Sequence, residues 1–263
     1  MKIGIIGCGN LGVALAKGIR SQNPHVEMML SKRHIESILP FQDDWTKVTS
    51  DNHKVILECD MLILALKPFT ILDFIQEYAD DFDVNRHTIV SVATGIRLSE
   101  IESKLKGTNW SLYRAMPNTG AAVNESMTAL SFHADPLNKA GEVNNLFSCI
   151  GETIVIDEQL MESATILGAC GIAYVLRFMR AMIQGGIQVG FDAKTASLIV
   201  SQTVKGAATL LIENGSHPEE EIDKVTTPKG CTIVGLNEME HSGFSSALIK
   251  GIVTSFERIE RRS

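Results

Sequence analysis

The sequence predicts an α/β fold in two parts, a doubly wound, largely parallel sheet over residues 1–157 and an all-α domain over residues 158–263. Three observations support this. A short apolar strand runs directly into a glycine-rich turn at the start of the chain, and strand-like apolar runs then alternate with helical patterns. After Asp157 the strand signals stop and long apolar helical patterns follow. A chain of 263 residues exceeds what one mononucleotide-type fold needs, so two domains are expected.

The sheet is predicted from short apolar runs separated by helical repeats. Residues 2–6 form a buried strand, and a helix begins at Asn10 with apolar positions recurring at helical intervals. A second strand covers residues 26–30. Further strands are predicted at residues 61–66, 88–93, 111–115, 127–132 and 153–156, with helical patterns at 69–79 and 98–106. Since fewer helices separate the last strands, they are expected to add an antiparallel edge.

The second domain is predicted to consist of long apolar helices. Residues 160–190 read as one helical segment, and the next helix runs from Asp192, a suitable N-cap, to Glu213 before Asn214 and Gly215. The last helix is rich in apolar residues from Phe244 onward. One small bundle would struggle to bury so many apolar faces, so a homodimer with intertwined helices is expected, which could assemble further.

The glycine-rich turn has the spacing G-x-G-x-x-G at Gly7, Gly9 and Gly12, with Asn10 and Leu11 at the start of the helix. The first glycine permits a tight turn, the second lets backbone approach a ligand, and the third lets the helix lie close to the sheet. Free amides at the helix start suit a pyrophosphate. The alternative is an ordinary glycine-rich turn, but the strand before it and the strand after it favour a dinucleotide site.

The end of the second strand indicates which dinucleotide is bound. Sites for NAD usually place an acidic residue there, whereas this chain has Ser31, Lys32 and Arg33. A hydroxyl and two cations suit a 2′-phosphate, so NADPH is the expected cofactor and NADH should bind more weakly. The alternative is that Lys32 and Arg33 are a solvated charge pair. The nearest acid, Glu27, lies within the strand and comes too early.

Composition limits the partners. A net charge of −7 argues against a nucleic-acid surface, and a small-molecule substrate is expected. We expect no leader and no apolar stretch long enough to span a membrane, and therefore no membrane association and a cytoplasmic location. Five cysteines, without the spacing of metal ligands, suit reduced thiols and no metal site.

Several further motifs, taken in order, resemble those of the delta-1-pyrroline-5-carboxylate reductase family over essentially the whole chain. They are Ala-Leu-Lys-Pro at 65–68, Ser-Val-Ala-Thr-Gly at 91–95, Arg-Ala-Met-Pro-Asn-Thr at 114–119, Glu-Ser-Met-Thr-Ala-Leu at 125–130, Gly-Ile-Ala-Tyr-Val at 171–175 and Thr-Thr-Pro-Lys-Gly-Cys-Thr at 226–232. The resemblance implies a Rossmann domain followed by a helical dimerisation domain. It also implies reduction of a cyclic imine in the last step of proline synthesis, at a site formed near the nicotinamide where two subunits meet.

The resemblance also assigns cofactor contacts. Asn52 would contact the cofactor ribose. The loop containing Ala65, Lys67 and Pro68 would line the nicotinamide side, and the cofactor contacts would include Ala93 and Gly95. Lys67 could instead be argued as a general acid, because related β-hydroxyacid dehydrogenases use a lysine. It could also be a simple loop charge.

The substrate contacts implied by the resemblance come from two segments. Met116 and Asn118 would lie by cofactor and substrate. In the second segment Thr232 would hydrogen-bond the ring nitrogen of the substrate. The substrate carboxylate would be held by Thr227, Gly230 and Cys231. A helix that starts after this loop would present free amides to that carboxylate.

The chain departs from the family pattern at two places that bear on substrate contacts. Gly168–Tyr174 reads Gly-Ala-Cys-Gly-Ile-Ala-Tyr where the family has Ser-Gly-Ser-Gly-Pro-Ala-Tyr. In the second motif Lys229 replaces a glycine and Cys231 replaces threonine or alanine. The rival functions are therefore a related imine or β-hydroxyacid reductase and a non-catalytic dinucleotide-binding regulator. A threonine hydroxyl has a pKa too far from neutral for a general acid, so solvent is expected to supply the proton.

Overall fold

The structure is a computed structural model that describes residues 1–260, and it divides into two compact units. The first unit comprises Met1–Ile172 and takes in the chain from Phe256, and the second is Ala173–Ser255. The first unit thus extends beyond the domain boundary predicted after residue 157. Met161 explains part of the extension, because it is fully buried against Met116 and Ala129 of the sheet.

The described residues of the first unit form one eight-stranded sheet in the order β3-β2-β1-β4-β5-β6-β7-β8. The strands are β1 Ile3–Ile6, β2 Met28–Ser31, β3 Thr46–Thr49, β4 Met61–Leu64, β5 Thr88–Ser91, β6 Ser111–Met116, β7 Ser126–Phe132 and β8 Gly151–Val155. Neighbours from β3 to β6 pair in parallel, β7 pairs antiparallel with β6, and β8 runs parallel to β7. The doubly wound sheet and its antiparallel edge are confirmed. Strand β3 is additional to the predicted strands.

Helices follow the strands and then make up the second unit. They are α1 Asn10–Gln22, α2 Asn52–Glu58, α3 Pro68–Glu77, α4 Leu98–Glu102, α5 Ala140–Ser148, α6 Met161–Ala164, α7 Gly171–Gln188, α8 Ala193–Asn214, α9 Pro218–Lys224, α10 Cys231–His241 and α11 Phe244–Glu260. Short 3-10 turns occupy Ile35–Ser37, Leu39–Phe41, Thr119–Val123 and Glu158–Leu160. Six residues of π-helix, Thr165–Cys170, join α6 to α7.

Two apolar layers cover the faces of the sheet. Strands β1, β2, β4 and β5 are buried along their whole length, which explains why they read as continuous apolar runs without alternation. On one face α1 and α5 pack against β1, β2, β4 and β5, and on the other face α2, α3 and α4 pack against the same strands. This sandwich holds the carboxyl ends of the parallel strands along one edge, where α/β proteins bind ligands.

The helical unit confirms the predicted ends of its second helix. The side chain of Asp192 accepts hydrogen bonds from the amides of Lys194 and Thr195, and the helix ends at Gly215 with a φ of 61°. Two segments, Glu158–Gln188 and Ala193–Asn214, are long and apolar enough to cross a membrane by length and composition. The expectation that no such stretch exists is therefore wrong, because the most apolar window of each segment contains at most two charged residues.

A buried histidine in the first unit is expected to make the stability of the protein dependent on pH. His87 is 1% exposed, and its Nδ1 accepts a hydrogen bond of 2.9 Å from the amide of Asp83. Burial, aided by the charge of Arg86, lowers the pKa of His87 below its ordinary value, so the folded protein favours the neutral ring. This contribution to stability is present above the unfolded pKa of about 6.5 and is lost as the pH falls toward the lower folded pKa.

We therefore expect the free energy of unfolding to decrease as the pH is lowered from 6.5. His87 should contribute up to about 1.4 kcal/mol of this decrease per pH unit. Urea unfolding at a series of pH values between 7.5 and about 5 would measure the slope. His87→Gln should be less stable at neutral pH but should show a shallower slope, whereas the matched change His241→Gln, on the exposed end of α10, should leave the slope unaltered. An identical slope in wild type and His87→Gln would contradict this assignment.

Candidate cofactor and substrate site

The glycine-rich turn between β1 and α1 has a conformation that excludes other residues. Gly7 has a φ of 86°, and a Cβ atom on it would lie 2.8 Å from the carbonyl oxygen of Ala65. The amide of Gly7 donates to the carbonyl of Ser31 at 3.1 Å, and the amide of Cys8 donates to the same carbonyl at 2.9 Å. The turn is thus clamped between the ends of β2 and β4.

The second and third glycines fit a dinucleotide in different ways. A Cβ on Gly9 would have the carbonyl of Gly7 at 3.9 Å as its nearest neighbour, so the backbone is open for close approach. Gly9 is also the N-cap of α1 and offers no capping side chain to the first amides of the helix. A Cβ on Gly12 would lie 3.3 Å from Ile5 Cγ2 of β1, which shows how closely the helix lies on the sheet. The residues present therefore fit a bound pyrophosphate.

The Cys8 thiol belongs to the packing under this turn and not to its chemistry. Cys8 is fully buried, and its Sγ donates a long hydrogen bond of 3.7 Å to the carbonyl of Ile5. Burial raises the pKa of Cys8 to about 12, so the thiol stays protonated at neutral pH.

The structure gives the Ser31 hydroxyl a partner within the first unit. Its side chain has no exposed surface, and its hydroxyl donates to Asn52 Oδ1 at 2.7 Å. In this structure the Ser31 hydroxyl is therefore engaged with Asn52, and its contact with a 2′-phosphate stays a prediction. Ser31 orients Asn52, which stands partly exposed at the start of α2.

The two cations that follow Ser31 differ in their exposure and in their hydrogen bonds. Lys32 is half-buried, its amide donates to the carbonyl of Thr49, and its Nζ donates to Ser37 Oγ at 2.7 Å. Arg33 is exposed. Both lie directly after the carboxyl end of β2, where a 2′-phosphate contact was predicted.

Two further loops lie at the carboxyl ends of neighbouring strands. After β4, the amide of Ala65 donates to the carbonyl of Ile6 at 2.8 Å, while Lys67 and Pro68 are exposed at the start of α3. After β5, Ala93 is buried and Gly95 has a φ of 73° with open space on the side where a Cβ would stand. Because the register of β1, β4 and β5 aligns these ends, the structure brings the predicted cofactor loops to one edge of the sheet.

The predicted substrate residues of β6 are buried at the end of the neighbouring strand. The sulfur of Met116 accepts a hydrogen bond of 3.8 Å from Thr94 Oγ1, which joins this strand to the loop after β5. Asn118 is 7% exposed, its Oδ1 accepts from the amide of Gly120 at 2.8 Å, and its Nδ2 donates to the carbonyl of Gly168 at 3.2 Å. The Asn118 side chain is thus engaged in shaping the loop.

The remaining predicted residues belong to the second unit. Thr227 begins a turn in which the amide of Gly230 donates to the Thr227 carbonyl at 2.9 Å, with Lys229 in the left-handed region at a φ of 60°. A Cβ on Gly230 would lie 2.5 Å from Thr227 Oγ1, so the turn requires glycine there. Cys231 is exposed and Thr232 is half-buried in the first turn of α10, where orphan amides suit an anion.

Sequence reasoning missed a buried ionic cluster in the first unit. Arg114 of β6 is 2% exposed and bonds Glu158 and Glu162. The two carboxylates lie 44 and 48 positions further along the chain, so no local pattern indicates the pairing. Among the described residues, no group of three or more His, Cys, Asp or Glu side chains is arranged to hold a metal ion.

Comparisons with known families cover both parts of the chain. Residues 2–95 match the family described as NADP oxidoreductase coenzyme F420-dependent, and residues 158–262 match the family described as pyrroline-5-carboxylate reductase dimerisation. The second match shows that the chain carries a dimerisation domain of that kind.

Two curated relatives come from Dictyostelium discoideum. Pyrroline-5-carboxylate reductase 1 is 43% identical over 97% of this chain, which spans about half (49%) of that protein. Pyrroline-5-carboxylate reductase 2 is 40% identical over 97% of this chain and 91% of its own length.

Solved structures share the fold over almost the whole chain. A pyrroline-5-carboxylate reductase from Coxiella burnetii is 26% identical with a TM-score of 0.91, covering 99% of this chain and 98% of that one. A pyrroline carboxylate reductase from Plasmodium falciparum with NADP bound has a TM-score of 0.86 at 23% identity, covering 99% and 97% of the two chains, and shows the fold alone. With a relative at 40% identity aligned over nearly all of both chains, the chain belongs to the pyrroline-5-carboxylate reductase family.

Proposed function

We propose that this protein reduces 1-pyrroline-5-carboxylate to L-proline with NADPH, the last step of proline biosynthesis. The observation that carries the proposal is a dinucleotide cradle and a glycine-dependent anion turn in one chain of the pyrroline-5-carboxylate reductase family. NADPH is favoured over NADH because Lys32 and Arg33 follow β2, where an NAD site would carry an acid.

The first unit would hold the cofactor. Amides at the start of α1 would bind the pyrophosphate, Arg33 and Lys32 the 2′-phosphate, and Asn52 the ribose. When bound, the reduced nicotinamide supplies the hydride. The loops after β4 and β5 would line the nicotinamide side of the site and orient the reacting ring.

The second unit would hold the substrate. The amides of Gly230 and Cys231, with the Thr227 hydroxyl, would bind the carboxylate, and the Thr232 hydroxyl would hydrogen-bond the ring nitrogen. This bond would fix the orientation of the imine ring in the second unit. Since a threonine hydroxyl does not ionise near neutral pH, solvent supplies the proton to nitrogen.

Oxidation of NADPH with pyrroline-5-carboxylate, followed by the absorbance of the reduced nicotinamide, tests the proposal directly. We expect turnover of the imine with NADPH, slower turnover with NADH, and proline as the product. Tight NADPH binding without turnover would favour a dinucleotide-binding regulator. Turnover of 2-hydroxy acids in the reverse direction, or of other cyclic imines in preference, would favour the related reductases.

Thr232→Ala should lower kcat/KM for the imine by about ten- to a hundredfold, because a hydrogen bond to a charged nitrogen contributes about 1.5–3 kcal/mol. The dissociation constant of NADPH should stay unchanged. Thr226→Ala is the matched control, since its hydroxyl donates to the carbonyl of Ile222 within the same unit. Equal kcat/KM in wild type and Thr232→Ala would remove Thr232 from the substrate site.

We also propose that the protein is a homodimer whose helical units cover each other. Within helices α7–α10 only Ala196 and Val200 are buried. Many large apolar side chains of the second unit are exposed, among them Leu176, Val189, Leu198, Ile199, Ile212, Val234, Ile249 and Val253. So much exposed apolar surface requires a partner, and the dimerisation match favours a second copy over lipid.

Light scattering without detergent should give a mass of twice the chain mass of 28.7 kDa, or a multiple of that dimer. The double change Leu198→Glu and Ile212→Glu should yield monomer or aggregate, because it places charges in the covered face. Leu57→Glu, at an exposed position of the first unit, is the control and should remain dimeric. A soluble wild-type monomer, or recovery of the protein only with membranes, would contradict the dimer.

We further propose that the protein works in the cytoplasm. All five cysteines are free in the structure, and reduced thiols are typical of that compartment. Cell fractionation with an antibody to the protein would test this location.

A further inference from the structure

A buried arginine in β6 is held by two carboxylates from the segment that follows the sheet. Arg114 Nη1 donates to Glu158 Oε1 at 3.2 Å, and its Nη2 donates to Glu162 Oε1 at 2.8 Å. The side chains of the three residues are 2%, 11% and 15% exposed. A charged group so far from water requires such partners, so the two carboxylates fix β6 relative to the start of α6.

Glu158 makes two contacts that Glu162 does not make. Its Oε1 also accepts a hydrogen bond of 2.7 Å from the amide of Leu98, the first residue of α4. Its Oε2 lies 2.8 Å from Nε2 of His133, which follows β7. A single carboxylate therefore joins the loop after β5, strand β6, the end of β7 and the chain leading to α6.

The segments joined by Glu158 carry residues of the proposed site. The loop after β5 contains Ala93 and Gly95 and ends at Leu98, while β6 leads directly to Met116 and Asn118. The hydrogen bond from Thr94 Oγ1 to Met116 Sδ shows that the two segments touch. The Leu98 amide and Arg114 meet at one oxygen of Glu158, which sets how far the loop stands from the strand.

We infer that Glu158 is a positioning residue that fixes the cofactor-side loop after β5 against the substrate-side end of β6. In this role Glu158 contacts neither the cofactor nor the substrate. The inferred effect on the reaction rests on the proposed function. Because a displacement of about 1 Å can cost a hundredfold in rate, losing this tie should slow hydride transfer more than it weakens binding.

Hydrogen exchange of the ligand-free full-length protein tests the tie without any turnover. Glu158→Ala frees the Leu98 amide and should speed exchange in peptides covering residues 94–101 about tenfold. Glu162→Ala is the matched control, since it removes the other partner of Arg114 but leaves the Leu98 bond, and should exchange there as wild type does. Glu158→Gln keeps an acceptor oxygen and should restore most of the protection. Equal exchange in Glu158→Ala and wild type overturns the inference.

Kinetics test the consequence for the reaction. Glu158→Ala should lower kcat about tenfold, raise the isotope effect with deuterated NADPH and leave the NADPH dissociation constant within about threefold. Equal losses of kcat in Glu158→Ala and Glu162→Ala, with an unchanged isotope effect, overturn the inference. Glu158 would then act only as an ion-pair partner of Arg114. If the alanine variants fail to fold, Glu158→Leu is compared with Glu162→Leu, since leucine fills the space but offers no acceptor oxygen. A selective loss of kcat in Glu158→Leu supports the inference, and equal losses in the two variants overturn it.

The two proposals fail in different ways. Wild-type protein that does not reduce the imine overturns the proposed function. The exchange of residues 94–101 still decides whether Glu158 holds the loop, because that measurement needs no substrate or cofactor.

Discussion

Replacing Lys32 and Arg33 together by alanine should weaken NADPH binding about a hundredfold and change NADH binding by less than about threefold. The two nucleotides differ only in the 2′-phosphate, and the two cations are the groups at the end of β2 able to neutralise it. Arg33 is exposed and free to form two parallel hydrogen bonds, whereas Lys32 must leave Ser37 Oγ to contribute. Titration of both nucleotides at one fixed ionic strength would measure the discrimination.

The control for this variant removes the same charge elsewhere in the first unit. Lys104 and Lys106 bond Gln76 and Asp80 in a region of exposed side chains. Changing both to alanine should leave the affinities for NADPH and NADH within about twofold of wild type, because surface charges are largely screened at physiological salt. If the Lys32 and Arg33 variant lost affinity for both nucleotides equally, the assignment to the 2′-phosphate would be wrong.

Gly7→Ala should have the largest effect on the protein itself. The new Cβ would stand 2.8 Å from the Ala65 carbonyl oxygen, and alanine at a φ of 86° is strained in addition. We expect the free energy of unfolding to fall by about 3 kcal/mol. NADPH affinity should fall more than about a hundredfold, because the turn must move out of phosphate-binding geometry. Urea unfolding and nucleotide titration would measure the two effects.

The variant Gly107→Ala distinguishes the backbone strain of alanine at a positive φ from the steric clash of a new Cβ with a neighbouring atom. Gly107 has a φ of 84°, almost that of Gly7, but no atom lies within 4 Å of the position of its Cβ. This variant should lose only about 1–2 kcal/mol of stability and should bind NADPH as wild type does. Equal losses of stability and of NADPH affinity in Gly7→Ala and Gly107→Ala would mean that the close approach of Gly7 to Ala65 does not account for the effects of Gly7→Ala.

Elements with a strong local signal were predicted from the sequence. The glycine turn begins α1 at Asn10 as expected, and Asp192 and Gly215 mark the ends of α8. Strand β3 was not assigned, because Thr46–Thr49 is short and only its first residue is buried. The π-helix at Thr165–Cys170 was also not anticipated, since the apolar pattern continues through it without a break. Its conformation depends on packing beyond the local repeat.

The candidate site was predicted unevenly for the same reason. A backbone requirement such as the positive φ of Gly7 restricts which residue type can occupy the position, so the sequence indicates it. The direction in which a side chain points does not restrict the residue type in this way, so the sequence does not indicate it. Ser31 stands at the predicted strand end but turns inward to Asn52, which lies 21 positions later. No local pattern marks Glu158, and only the fold brings Leu98, Arg114 and His133 to it.

The sequence by itself determined the fold class and the chemistry of the cofactor, because apolar periodicity, glycines and the two cations after β2 act locally. The family was indicated by the resemblance of several motifs along the chain to those of pyrroline-5-carboxylate reductases. Only the tertiary structure decided which polar groups support the site. Those groups meet across the ends of strands that are distant in the chain, and a hydrogen bond depends on distance and direction, which a linear pattern does not encode.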